Sequence, residues 1–349
     1  KDRIRLDFSD IRDYKFNSAC ITNHIIGKMI IYGKNSIGKS NFGLAIFDIV
    51  SHLSSKNVTP NLYDYYLNVD APTDHAEFHY VFAFGALGLA GLFSNKKKGL
   101  IKGYMICEKL CIDNQLLYEY DYKADAGNLD GIRSLAPTLN LSMQDVDSVL
   151  KYVISNTVLD DDHPLRQMQR YVNNMLWFRS LDENRYIGYK TKSSDYFDFI
   201  FDPAILKEFE QFLHAAGITE GLTVNRDHDG KQRLYFDTAT PLPFFRVASS
   251  GTKALYNFFY WYKTAKDVSM MFIDEFDAFY HYELAETIVS LLEKMTQTQV
   301  ILTSHNTNLL TNRIMRPDCY FILTQGRISS LANAASRELR EGHNLEKLY

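Results

Sequence analysis

The sequence predicts an α/β fold: a mainly parallel sheet, with an antiparallel β subdomain and a mainly helical insertion. Three observations carry this. From about residue 236 onward, short apolar runs alternate with segments of helical spacing. Near the N-terminus, "KMIIYG" is an apolar run ending in glycine, and "SNFGLAIFDIVSHL" follows it with helical periodicity. Between residues 77 and 122 the chain is instead rich in Tyr, Phe, Ile and Val in strand-length runs.

Taken in order, "EFHYVFAF", "KGYMICEKLCI" and "QLLYEYDY" read as strands. Asp-Asn between two of these runs, in "CIDNQLLYEY", predicts a hairpin. From about 124 to 230, "MQDVDSVLKYVISNTV", "LRQMQRYVNNMLWF" and "AILKEFEQFLHAAG" are helix-like. Strand texture returns with "QRLYFDT". Then follow "TKALYNFFYWYKTAK" (helix), "VSMMFIDEF" (strand), "ELAETIVSLLEKM" (helix), "QVILTSHN" (strand) and "CYFILTQGRISSL" (strand, glycine turn, strand). The expected divisions are 1–123, 124–235 and 236–349.

Composition sets limits. With 349 residues, 46% of them apolar, a sizeable core needs neither metal nor disulfide staples. A net charge of -4 gives no general attraction to nucleic acid or anionic membrane. "NKKKG" at 95–99 is the single basic run. Cys107 and Cys111 have no second Cys/His pair at metal-binding spacing, so the four cysteines are expected as free thiols in a reducing cytoplasm. "KDRIRLDF" starts charged, without the apolar stretch of a signal peptide. The longest apolar run, 80–93, is too short to span a bilayer and carries three glycines.

Four motifs carry chemistry. Residues 33–40, "GKNSIGKS", match G-x-x-x-x-G-K-[ST] between a strand and a helix. Glycines let successive N–H groups turn inward towards phosphate oxygens, and the helix start adds its positive end. Gly33, Lys34, Asn35, Ser36, Ile37, Gly38, Lys39, Ser40 and Asn41 are therefore candidate nucleotide contacts, with Lys39 reaching the β/γ-phosphates and Ser40 offering a hydroxyl to Mg²⁺. "SMMFIDEFD" ends a buried strand on Asp274 and Glu275. Asp274 is placed to orient Mg²⁺ and Glu275 to polarise water; the bland alternative is two solvated carboxylates. "QVILTSHNT" ends at His305, a candidate γ-phosphate partner or a plain surface histidine. "ASSGTKA" puts Ser249, Ser250, Gly251 and Thr252 at a helix start, which is either an anion-binding surface or an ordinary cap.

The order phosphate loop, Ser-Ser-Gly-Thr, Asp-Glu, His resembles the ATP-binding-cassette (ABC) ATPases. "ASSGT" stands where their signature would be, "FIDEFD" resembles their Walker B motif, and "TSHN" their switch-histidine strand. The insertion and the lack of spans point within them to the soluble SMC/RecF-like group. "FIDEFDAFYH", "LTSHNTNLL" and "ELREGHNLEKLY" are similar to the ATPases of bacterial abortive-infection and anti-phage systems such as Septu, PARIS and some retrons.

The resemblance implies an ABC-type P-loop NTPase with an N-terminal lobe (1–123), an insertion (124–235) and a C-terminal lobe (236–349). It implies ATP and Mg²⁺ as ligands, with Glu275, His305 and Lys39 catalytic and Ser40 and Asp274 on the metal. It implies a head-to-tail homodimer or higher oligomer, in which residues 249–252 of one copy meet the loop of another. A separately encoded effector, nuclease or toxin, is the expected further partner, with no membrane. The alternative is a DNA-repair ATPase that clamps DNA. Two departures stand out: His281 lies six residues after Glu275, where many relatives have Asp, and Gln115 is a poor match to a Mg²⁺-contacting loop.

Overall fold

The computed structural model describes residues 4–53, 73–84, 89–98, 103–143, 146–179, 186–188, 195–335 and 339–348. These fall into two units: residues 1–39, 177–186 and 190–349, and residues 40–176 and 187–189.

The first unit is built on parallel strands. Lys28–Tyr32, Met270–Asp274 and Gln299–Ser304 are apolar in their middle residues and buried almost throughout. Strands covered on both faces read as continuous apolar runs, which explains the lack of alternation. Gln299–Ser304 lies between the other two and pairs in parallel with both. On its other side Lys28–Tyr32 pairs in parallel with Tyr320–Thr324. Arg327–Ser330 closes that edge antiparallel, after a turn at Gly326 with φ 72°. Buried Lys28 is satisfied by the carbonyls of Met295 (3.1 Å) and Thr298 (2.7 Å), and burial pushes its ammonium below the usual lysine range.

Helix Ser250–Thr264 buries an aromatic row including Tyr256, Phe259 and Tyr260. Against this row pack Phe209 of helix Pro203–Ala215 and Phe244, with Phe209 and Tyr256 edge-on at 5.3 Å. Such pairs contribute about 0.5–1.5 kcal/mol beyond their buried area. A small antiparallel sheet, Leu222–Arg226, Gln232–Phe236 and Leu242–Pro243, completes this unit.

One expectation is corrected. "LRQMQRYVNNMLWF" is not one helix: helix Pro164–Asn173 stops at Asn174, and Met175–Arg179 is a strand. Trp177 stands edge-on to Phe272 of the carboxylate strand at 5.5 Å. The side chain of Arg179 and the "NKKKG" run lie outside the described side chains.

The second unit holds a five-stranded antiparallel sheet in chain order: His75–Ala83, Leu89–Lys98, Gly103–Ile112, Gln115–Asp121 and Ala126–Asn128. The predicted hairpin is present. Ile112 pairs with Gln115, and Asp113 (φ 49°) and Asn114 (φ 63°) both take the left-handed conformation of a primed turn. Gln115 therefore opens a strand. In this unit Glu108 is fully buried. It accepts from the Tyr122 hydroxyl (2.7 Å), the Ser148 hydroxyl (2.9 Å) and the Leu150 N–H (3.3 Å). It thereby ties the sheet to Ser148, the cap of helix Val149–Asn156.

The fold class is the expected one, α/β with a mainly parallel sheet and a separate antiparallel sheet. Among the described residues no helix is long and apolar enough to cross a membrane.

Glu108→Ala strands three buried donors and is expected to cost about 2–4 kcal/mol in urea unfolding. Glu108→Gln keeps an acceptor and should lose less. A loss below about 0.5 kcal/mol for the alanine variant would contradict this role.

Candidate active site

In the parallel ladder Ser304 is opposite Tyr32, and Leu302 is opposite Ile273. Met270–Asp274 ends one residue short of the level at which Tyr32 and Ser304 end, so Glu275 stands beside them. The next residues are Gly33, Glu275 and His305, so chemistry-bearing groups emerge side by side at the carboxyl ends, where open α/β sheets bind ligands.

Gly33 is required by space: a Cβ there would lie 2.9 Å from the Ile37 side chain and 3.0 Å from the Leu323 carbonyl. Ser36 (φ 61°) and Gly38 (φ 99°) take left-handed conformations that curl the loop. Lys34, Asn35 and Ser36 are exposed, Ile37 and Gly38 half-buried, and Lys39 is 6% exposed. Ser40 and Asn41 fall in the first turn of helix Lys39–Leu53.

The Lys39 ammonium is fully engaged. It donates to the carbonyls of Gly33 (3.0 Å) and Lys34 (3.3 Å), and its Nζ is 2.7 Å from His305 Nε2. When the ammonium donates, Nε2 is the acceptor. Burial lowers the Lys39 pKa, while the carboxylates of Glu275 and Asp274 pull it back up. A poorly solvated cation flanked by carbonyls that a polyanion can replace is suited to phosphate.

Thr303 connects the carboxylates. Its hydroxyl donates to Asp274 Oδ1 at 2.7 Å and accepts the Glu275 N–H at 2.7 Å. Glu275 is held at φ 48°, a left-handed conformation that non-glycine residues seldom adopt. This turn brings Glu275 Oε1 to 3.6 Å from His305 Nε2. An open cleft of about 290 Å³ is lined by Glu275, Asp277, Ala278, His305 and Asn306. Asp277 has no part in the sequence-based reading. Burial raises its carboxyl above the usual range, against the hydrogen bond from Ser304.

Among the described residues no group of three or more His, Cys, Asp or Glu side chains is arranged to hold a metal. Asp274 offers a buried carboxylate, an oxygen donor of the kind Mg²⁺ takes together with phosphates and water.

Residues 249–252 are not part of this cluster. Ser249 caps helix Ser250–Thr264, accepting the Thr252 N–H at 3.1 Å and sharing a 2.8 Å bond with the Thr252 hydroxyl. The cap geometry leaves Ser249 and Ser250 exposed at the helix start. Gly251 lies against the segment after Glu275: a Cβ there would be 3.3 Å from the Phe279 carbonyl. His281 is the N-cap residue of helix Tyr282–Glu293, without a side-chain capping bond.

The segment after His305 anchors the C-terminal residues. Asn312 Nδ2 donates to the carbonyls of Arg340 (3.0 Å), Glu341 (2.9 Å) and His343 (3.2 Å), and the Thr307 hydroxyl donates to Glu346 at 2.8 Å. Leu339 and Leu345 are buried there.

The family described as "AAA domain, putative AbiEii toxin, Type IV TA system" matches residues 115–311, more than half of the chain. That span begins after the phosphate loop and contains Ser249, Asp274, Glu275 and His305. No curated protein matches the sequence. Among solved structures the chain is similar to the SMC head domain from Thermotoga maritima, with 15% identity and a TM-score of 0.40, covering 86% of this chain and 88% of that one. It is similar also to the Smc head domain with an extended coiled coil bound to the C-terminal domain of ScpA, from Pyrococcus furiosus (13%, TM-score 0.39, 87% and 90% covered). A bacterial Atm1-family ABC exporter with ATP bound is similar at 10% identity and TM-score 0.31, with 87% of this chain and 33% of that chain covered.

The left-handed turn at Glu275 makes a stability prediction. Glu275→Gly is expected to be more stable than Glu275→Ala by about 1 kcal/mol in denaturant unfolding, because only glycine takes that conformation without strain. Equal stabilities would argue against a strained turn.

Proposed function

The chain belongs to this family of AAA domains, and on that premise we propose that it binds ATP with Mg²⁺ and hydrolyses the γ-phosphate. The observation that supports this most directly is the placing of His305 between Lys39 and Glu275, at 2.7 Å and 3.6 Å. In this reading Lys39 exchanges its loop carbonyls and His305 for the β/γ-phosphates. Its interaction is then with a full negative charge, stronger than with neutral acceptors. His305, released from Lys39, takes the tautomer with its proton on Nε2 and donates that N–H to the γ-phosphate. Glu275 is the base that orients the attacking water. Ser40 and Asp274 would hold Mg²⁺, which supplies charge neutralisation on the phosphates.

Ser249 and Thr252 bond to each other inside the cap, and the exposed helix start is suited to an anion from outside. A head-to-tail pair, with two shared sites, puts the signature of each copy over the nucleotide of the other. We read the 124–235 stretch as an insertion between two lobes of the cassette. The cellular role proposed is a cytoplasmic defence ATPase that controls a separately encoded effector. It is supported by the family description and by the "FIDEFDAFYH" and "LTSHNTNLL" resemblance.

Glu275→Gln should retain ATP, accumulate as a dimer by light scattering, and lose about 10²–10⁴-fold in turnover. Wild-type turnover in that variant would remove Glu275 from its role. Lys39→Ala should lose nucleotide binding in a filter or fluorescence assay. The pairing has its own check. Lys39→Ala and Gly251→Asp chains, each inactive alone, should regain about a quarter of the wild-type rate when mixed, because half of the random pairs carry one intact composite site. An inactive mixture would count against shared sites.

A further inference from the structure

We infer that Asp277 is a positioning residue for His305 and acts through the Ser304 hydroxyl. Ser304 is fully buried at the end of its strand. Its Oγ donates to Asp277 Oδ2 at 2.7 Å and accepts the Asn306 N–H at 2.9 Å. These two bonds bracket His305, the residue between Ser304 and Asn306. The hydroxyl has one proton to give, and Asp277 takes it. That leaves the oxygen lone pairs for Asn306, so the carboxylate fixes which way the hydroxyl serves the turn.

The neighbouring residue does the same work on the other side of the strand. Thr303 and Ser304 point to opposite faces. Thr303 holds Asp274 and the Glu275 N–H, and its carbonyl accepts the Phe276 N–H at 3.2 Å. Ser304 holds Asp277. Two successive hydroxyls therefore fasten the turn 274–277 to the histidine strand from both faces. Glu275 and His305 are carried by one rigid unit, and Asp277 is its second fastening. Its half-buried carboxylate, beside Glu275 in the same cleft, costs desolvation that a purely decorative residue would avoid.

The kinetic consequence rests on the ATPase reading, and the structural consequence does not. With the full chain, Asp277→Ala and Ser304→Ala are expected to lower kcat by about 10–100-fold with KM for ATP little changed, as for other residues that orient a reacting group. Asp277→Asn keeps an acceptor oxygen and should recover most of the rate. The double variant Asp277→Ala/His305→Ala should be no slower than His305→Ala alone, since both act through one ring. The His305 imidazole NMR signals, identified by their absence in His305→Gln, should shift or broaden in Asp277→Ala and Ser304→Ala but not in Asp277→Asn. Additive rate losses, or His305 signals that do not move in the two alanine variants, would overturn the inference. If wild-type turnover proves independent of Glu275, the ATPase reading fails, and the ring signals alone then decide the positioning role.

Discussion

The parallel ladder that joins Lys28–Tyr32, Gln299–Ser304 and Met270–Asp274 sets the level at which the phosphate loop, His305 and Glu275 emerge. No side chain of the site has to reach far. Each stands one step beyond a buried strand whose register is held by backbone hydrogen bonds and whose faces are covered. A slip of this ladder would move the histidine away from both of its neighbours. The site is therefore as rigid as the core beneath it, which is the condition for holding reacting groups within tenths of an ångström.

The local costs collect at this level. Lys39 gives up most of its hydration, Asp274 is a buried carboxylate, and Glu275 sits in a left-handed turn. Each of these is unfavourable by itself, by about 1–3 kcal/mol for the backbone strain alone. They persist because the neighbours over-determine them: two loop carbonyls and an imidazole around Lys39, and Thr303 between Asp274 and Glu275. Strain and desolvation confined to one cleft, in a unit with a large aromatic core, are what a functional site imposes on an otherwise consistent fold.

Much of this is legible in the sequence, and the reasons are local. Glycine spacing exposes the phosphate loop because only glycine fits at Gly33. Asp-Asn exposes the hairpin because both residues tolerate positive φ. Legibility ends where partners are distant or patterns are uniform. Strands buried on both faces have no alternation from which register can be read, so the sequence does not show that Gly33, Glu275 and His305 emerge side by side. "MLWF" is a short apolar run that suits helix or strand equally, and only Phe272 across the sheet decides it. Asp277 carries no local signal because its partner, Ser304, is 27 residues away. Ser249 showed both of its possible roles, and the cap is the one its side chain fulfils within the chain.

In the proposed mechanism the cluster around Lys39 and Glu275 is completed by a second copy over one nucleotide. A structure of Glu275→Gln with ATP and Mg²⁺ tests it most directly. The expected structure has ATP on the loop of residues 33–40 of one copy, with Lys39 and His305 both turned to its γ-phosphate, and with residues 249–252 of another copy closing the opposite side. ATP bound to a single copy with residues 249–252 open to solvent, or Lys39 still on its loop carbonyls and His305 with the nucleotide present, would contradict it.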